Sequence, residues 1–170
     1  MPRNIEIKAR IDSVESSLAK AAALADSGPT EIIQDDTFFP CPNGRLKLRV
    51  FPSLTGELIF YQRPDSAEPK ESRYIIAPVP APDLMREVLT EAYGQIGRVR
   101  KTRTLFLVGR TRIHLDRVEG LGDFLELEVV LNEKETAEAG VQAANELLRK
   151  LELPGELLVQ GAYVDLLNAR

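Results

Sequence analysis

The chain has 170 residues, 44% of them hydrophobic and 28% charged, and 22 Lys+Arg against 26 Asp+Glu give a formal net charge of −4. These proportions suit a single domain over residues 1–170 with a real core, and the acidic balance excludes a surface built throughout to grip nucleic acid or an anionic membrane. One cysteine, Cys41, excludes an internal disulfide framework, no apolar signal segment follows Met1, and the apolar run at Ala21–Ala25 is far below the roughly 20 residues of a membrane span, so a cytoplasmic protein is expected.

In chain order, period-2 alternation predicts strands at Asn4–Ile11, Glu31–Phe39, Arg45–Val50, Glu57–Arg63, Ser72–Ile76, Gly97–Leu107, Arg110–Val118 and Asp123–Leu131. Between the first two, Ser13 and Glu15 open a helix whose Val14, Leu18, Ala21 and Ala25 repeat at helical spacing until Gly28-Pro29 ends it. Pro78, Pro80 and Pro82 form a stiff connection. Pro82 then opens a second helix, with Leu84, Val88, Leu89 and Ala92 on one face and Gly94 at its end. A third helix carries Ala137, Val141, Ala144, Leu148 and Leu151 as its apolar stripe, and a short fourth runs from Gln160 to Asn168. Tight turns at Gly109 and Glu119–Gly122 favour antiparallel neighbours. The reading is an α+β fold, with eight antiparallel strands closing into a barrel and the helices packed outside.

The charges obey the same alternation. Asn4, Glu6, Lys8 and Arg10 share one face of the first strand, and Arg45, Lys47 and Arg49 one face of the third. In the seventh, Arg112, His114 and Asp116 oppose Thr111, Ile113 and Leu115, and the eighth sets Glu126 and Glu128 against Leu125, Leu127 and Val129. The sixth strand carries Arg98, Arg100, Lys101 and Arg103 on both parities. Such alternation ordinarily means a half-buried sheet with a wet face. Two features oppose that reading: the polar parity is almost wholly charged, and its signs segregate by strand. From Ile96 to Val118 there are seven basic residues and one acid.

If the sheet closes, these side chains line a charged interior, which is costly unless they are paired or meet an opposite ligand. A ligand needing both signs is a polyphosphate with a divalent metal. Arg and Lys hold phosphate oxygens, and clustered carboxylates hold Mg²⁺ or Mn²⁺. An RNA-binding barrel would need the basic strands but not Glu6, Glu126 and Glu128, and Phe60, Tyr61, Tyr74, Phe106 and Phe124 form no stacking stripe.

These residues resemble the CYTH, or triphosphate tunnel metalloenzyme, superfamily, in its class IV adenylate cyclase-like branch. Asn4-Ile5-Glu6-Ile7-Lys8 is similar to the family's E-x-E-x-K strand, with Asn4 in the first glutamate position. Gln34–Phe39 resembles Q-x-D-x-Y-F, Leu46–Arg49 resembles L-R-x-R, and Lys101-Thr102-Arg103 resembles K-x-R. The most specific match is Leu115–Glu128, which resembles L-D-x-V-x-x-L-G-x-F-x-E-x-E.

The resemblance implies a tunnel that binds a triphosphate end-on. It implies Glu6, Lys8, Glu126 and Glu128 as catalytic residues, and Mg²⁺ or Mn²⁺ on Glu6, Asp116, Glu126 and Glu128. Phosphate contacts would come from Lys8, Arg10, Lys47 and Arg49, and from Arg63, Arg73, Lys101 and Arg103. The substrate would be ATP, turned over to cyclic AMP and pyrophosphate. Alternatively the chain is a triphosphatase on tripolyphosphate, thiamine triphosphate or a nucleoside triphosphate, or a non-catalytic sensor of such molecules. His114 is the only histidine and lies on the charged parity, but nothing in the family pattern calls for it. Tyr163 and Asp165 are read as helix docking and capping. Stable binding of nucleic acid or a membrane is not expected, and a homodimer is left open.

Overall fold

The computed structural model describes all 170 residues. In chain order it comprises β1 (Arg3–Arg10), α1 (Val14–Leu24), β2 (Ser27–Phe39), β3 (Arg45–Val50), β4 (Gly56–Gln62), β5 (Lys70–Val79) and α2 (Pro82–Tyr93). Then follow β6 (Gly97–Val108), β7 (Thr111–Val118), β8 (Gly122–Leu131), α3 (Ala137–Lys150), a 3₁₀ turn at Gly155–Leu157 and α4 (Tyr163–Asn168). All eight strands pair antiparallel and close into a ring in the order β1-β5-β4-β3-β2-β6-β7-β8. The closing strand is β1, paired with β8 over its whole length and with β5 at Arg3–Glu6.

The apolar parity faces outward, beneath the helices. Ile7, Ile113, Leu115, Leu125 and Leu127 form one cluster with Val14 and Ala21 of α1 and Leu147 and Leu148 of α3. Each such large side chain, fully buried, contributes roughly 1.5–3 kcal/mol. The core therefore lies between barrel and helices, which frees the other parity for a polar interior. Gly140 lets α3 approach closely, because a Cβ there would stand 2.5 Å from Ile5 Cγ1 and 2.7 Å from Leu131 Cδ2. On the opposite flank Leu89 of α2 packs with Phe39, Leu48, Val50 and Val79.

A further cluster plugs the end of the barrel where β6 starts and β7 finishes. There Phe38, Val99, Val118 and Phe124 meet Tyr163 and Val164 of α4. Tyr163 meets Phe124 edge to face, with ring centroids 5.0 Å apart.

Two expected boundaries move. Helix α1 ends at Leu24, and Gly28-Pro29 lies inside β2, where the ladder to β6 slips between Ser27 and Thr30. Gly28 takes φ +108°, and a Cβ there would come within 2.6 Å of the Leu105 carbonyl oxygen. Strand pairing thus outcompetes the helix at this point. Likewise Pro78 belongs to β5 rather than to a connection. Its missing N–H costs little, because β1 has already left that edge at Arg73 and only β4 pairs alongside. Pro82 occupies the first turn of α2, where its lack of a donor is harmless.

Candidate functional site

The inward parity encloses a cavity of about 320 Å³. Seven cationic side chains and four carboxylates reach its wall. Closure brings together groups that are remote in sequence, and most pair across strands.

Asp36 of β2 is the hub of one half. It accepts from Arg49 Nε at 2.8 Å and Nη2 at 2.8 Å, from Lys47 Nζ at 3.1 Å and from Lys101 Nζ at 3.2 Å. Burial opposes its charge, but Arg49, Lys101 and Lys47 together hold its carboxyl well below the usual carboxylate range. Burial lowers Lys101 to about 7 despite the attraction of Asp36. Lys8 likewise falls to about 8 through burial, opposed by Glu126. Its ammonium lies 3.9 Å from the centre of the Tyr163 ring and donates to the Gly161 carbonyl at 3.2 Å.

The other half is built on β7 and β8. Arg103 donates to both oxygens of Asp116 at 2.7 Å and reaches Glu126 Oε1 at 3.1 Å. The Tyr163 hydroxyl donates to Asp116 Oδ2 at 2.7 Å. Glu128 accepts from Arg112 Nε at 2.8 Å, and Glu6 from Arg63 Nη1 at 2.6 Å. Burial raises the Glu126 carboxyl, but a hydrogen bond from His114 and the charges of Arg103 and Lys8 bring it well below the ordinary range. His114, Glu126 and Glu128 each offer a ligand atom within 4.8 Å of the others.

Apolar side chains share the wall with the charges, Phe38, Val99 and Tyr163 at the plug and Ile32, Leu105 and Ile76 elsewhere. Four buried side-chain atoms lack a hydrogen-bond partner in the protein, namely Asn4 Oδ1, Gln34 Oε1, Arg63 Nε and Ser72 Oγ. All four residues line this cavity. Buried polar groups are nearly always satisfied in folded proteins, so these four atoms are left for water or a polar ligand within the cavity.

Of the residues singled out in the sequence, Glu6, Lys8, Lys47, Arg49 and Arg63 line the cavity, as do Lys101, Arg103, Glu126 and Glu128. Three do not. Arg10 lies at the plugged end, exposed, its guanidinium 4.7 Å from the Phe124 ring centre and donating to the Leu121 carbonyl. Arg73 sits on the outward parity of β5 and pairs with Glu71 at 3.2 Å, because Ser72 and Tyr74 take the inward positions. Asp116 is fully buried behind the wall, and its oxygens are occupied by Arg103 and Tyr163 rather than gathered with Glu126 and Glu128. On β6, Lys101 and Arg103 face in, whereas Arg98 and Arg100 face out toward Asp35.

Sequence reasoning passed over Asp36 and Lys70, a buried lysine facing Glu6 in the β1–β5 register, and read Tyr163 as helix docking alone. Asp36 stood in a quoted motif, and its parity with Gln34 and Phe38 was the available signal. Lys70 lay before the expected start of its strand. Tyr163 had no signal, since α4 joins the site only through the fold. Asp165 caps α4 as expected, accepting from the Ala162 N–H at 2.8 Å.

A closed ring of eight antiparallel strands with opposed charges inside and helices outside defines a class, and residues 2–163 match the CYTH domain family. The chain belongs to that family. Adenylate cyclase CyaB of Aeromonas hydrophila is 25% identical over 169 residues, covering 94% of this chain and 85% of that protein. Among solved structures, PH1012 of Pyrococcus horikoshii matches with a TM-score of 0.86 at 24% identity, covering 96% of this chain and 98% of the other. HpAC1 of Hippeastrum, assigned as an adenylyl cyclase and described as having a dominant triphosphatase activity, matches with a TM-score of 0.65 at 16% identity, covering 91% and 89%. The two structural likenesses establish the fold. No helix is long and apolar enough to cross a membrane.

Proposed function

We propose that this chain is a divalent-metal-dependent enzyme acting on a nucleoside triphosphate, converting ATP to cyclic AMP and pyrophosphate. The observation that carries the reading is the composition of the cavity wall: seven cationic side chains and four carboxylates face one enclosed space, as a triphosphate with a divalent cation requires. The match to an adenylate cyclase over 94% of this chain supports ATP and cyclisation.

Lys8, Lys47, Arg49, Arg63, Lys101 and Arg103 hold the phosphate oxygens, the arginines through directed pairs of N–H donors. Glu126 and Glu128, with Glu6 nearby, are the carboxylates suited to a divalent cation, and the donor chemistry of the cluster at Glu126 and Glu128 fits one. Such a cation supplies charge neutralisation at the reacting phosphate. Phosphoryl and nucleotidyl transfer depend chiefly on positioning and charge stabilisation, which this wall is built to provide. In the cyclase reaction the ribose 3′-oxygen bonds to the α-phosphorus, the bond to pyrophosphate breaks and the hydroxyl proton leaves.

A second reading is favoured by one feature. The cationic side chains of the wall hold any triphosphate regardless of what it carries, so water attacking the terminal phosphorus would make the chain a triphosphatase. Product analysis decides. Incubated with ATP and Mg²⁺ or Mn²⁺, the protein is expected to release cyclic AMP and pyrophosphate. ADP and phosphate would establish the hydrolase, and tight binding without turnover of ATP, tripolyphosphate or thiamine triphosphate would establish a sensor.

A further inference from the structure

His114 is the one imidazole of the cavity wall, and neither the family pattern nor the proposed phosphate contacts use it. It is 4% exposed and projects inward from β7 directly opposite Glu126 in the β7–β8 register. Its Nδ1 lies 3.3 Å from Glu126 Oε1 and 4.0 Å from Glu128 Oε1. Glu126 and Glu128 are two residues apart on one strand face, so the ring addresses both carboxylates at once.

The other acids do not converge there. Glu6 is engaged by Arg63, and Asp116 by Arg103 and Tyr163. Glu128 gives Oε2 to Arg112 and turns Oε1 toward the imidazole. The donors that meet are therefore one nitrogen and two carboxylates, where a site designed for Mg²⁺ would present oxygen throughout. Imidazole suits Zn²⁺, Fe²⁺ and Ni²⁺ and is a poor ligand for Mg²⁺, which prefers hard oxygen ligands and its own waters.

We propose that His114, with its ring proton moved to Nε2, ligates the metal through Nδ1 and makes the site selective for a borderline transition-metal ion over Mg²⁺. This rests on the reading that a divalent cation occupies Glu126 and Glu128. The bland alternative is that His114 only hydrogen-bonds Glu126 and steadies its rotamer, in which case the ring nitrogens would not sense the metal.

The chain has a single histidine, so its imidazole nitrogens give unambiguous ¹⁵N resonances in an untagged, chelator-treated protein. Titration with Zn²⁺, without any triphosphate, is expected to move the ring proton from Nδ1 to Nε2 and so to shift both nitrogens, Nδ1 into the metal-bound range. Zn²⁺ is expected to bind about tenfold or more tighter than Mg²⁺, and His114→Gln to remove most of that preference while leaving Mg²⁺ affinity within about twofold. Zn²⁺ binding that leaves Nδ1 unmoved, or a His114→Gln variant that keeps the preference, overturns the proposal while leaving the metal reading intact. Failure of every divalent ion to bind overturns both. The resonance measurement uses the native chain and does not depend on the variant folding.

Discussion

Asn4 and Ser72 stand directly opposite each other in the β1–β5 ladder, both buried, with Asn4 Oδ1 and Ser72 Oγ unpartnered on the cavity wall. Asn4 holds the position of the first glutamate in the family's E-x-E-x-K strand. Asn4→Glu would set a carboxylate beside the Ser72 hydroxyl and two residues from Glu6. Divalent-ion affinity should rise by about tenfold, or roughly 1.4 kcal/mol, measured by calorimetry on the metal-free protein. Thermal stability without metal should fall, because the new charge would be buried near Glu6. An unchanged affinity would put position 4 out of reach of the ion.

Asp36 holds Lys47, Arg49 and Lys101, so Asp36→Asn leaves one buried and two half-buried cations without their shared carboxylate. Removing one side of a buried ion pair typically costs about 3–5 kcal/mol. Tripolyphosphate supplies the missing negative charge. It should therefore raise the melting temperature of the variant by more than that of the parent protein. Equal shifts would mean that the anion does not reach these three side chains.

The depressed Lys101, at about 7, and Lys8, at about 8, predict the direction of a pH effect. Near pH 8.5 both are largely neutral in the free protein, and a bound polyanion favours their charged forms. Binding of tripolyphosphate there should take up protons, and affinity should fall as pH rises from 7 toward 10, by at most about tenfold per unit for each group. Calorimetry in two buffers of different ionisation enthalpy measures the uptake directly. Proton release, or none, would contradict the assignment.

Metal and phosphate roles separate kinetically. Glu126→Gln and Glu128→Gln should each lower turnover by about tenfold or more with the fold retained, since each removes a charge that steadies the cation. Arg49→Ala should instead weaken triphosphate affinity by about 1–3 kcal/mol, the scale of charge-assisted hydrogen bonds. Full activity in both glutamate variants would remove the proposed metal site. An unchanged Michaelis constant for Arg49→Ala would argue that this guanidinium serves only Asp36.

Much of the architecture was legible because period-2 alternation is a local property. It placed Lys47 with Arg49 and Glu126 with Glu128 on common faces, and it set Ile7, Leu125 and Leu127 on the opposite one, where they pack under α1 and α3. Where a strand carried charge on both parities, as β6 does, alternation could not choose. The choice came from pairing: Lys101 stands beside Gln34 and Arg103 beside Asp116, which turns Arg98 and Arg100 outward to Asp35. Arg73 failed for the same reason, since its parity depends on a strand start that the sequence did not mark.

The net charge of −4 first spoke against polyanions as ligands. Alternation already corrected that sum by placing basic residues together on particular strands. Sequence alone thus determined the charged face, its family resemblance and the strands that carry it. Tertiary structure decided that the face looks inward, that Asp36 collects cations from β3 and β6, and that His114 meets Glu126 and Glu128. It also brought Tyr163 from the last helix onto Asp116. The physical reason is range: side-chain parity follows from the backbone of a single strand, whereas ion pairs and ligand sets depend on ring closure and register between residues far apart in the chain.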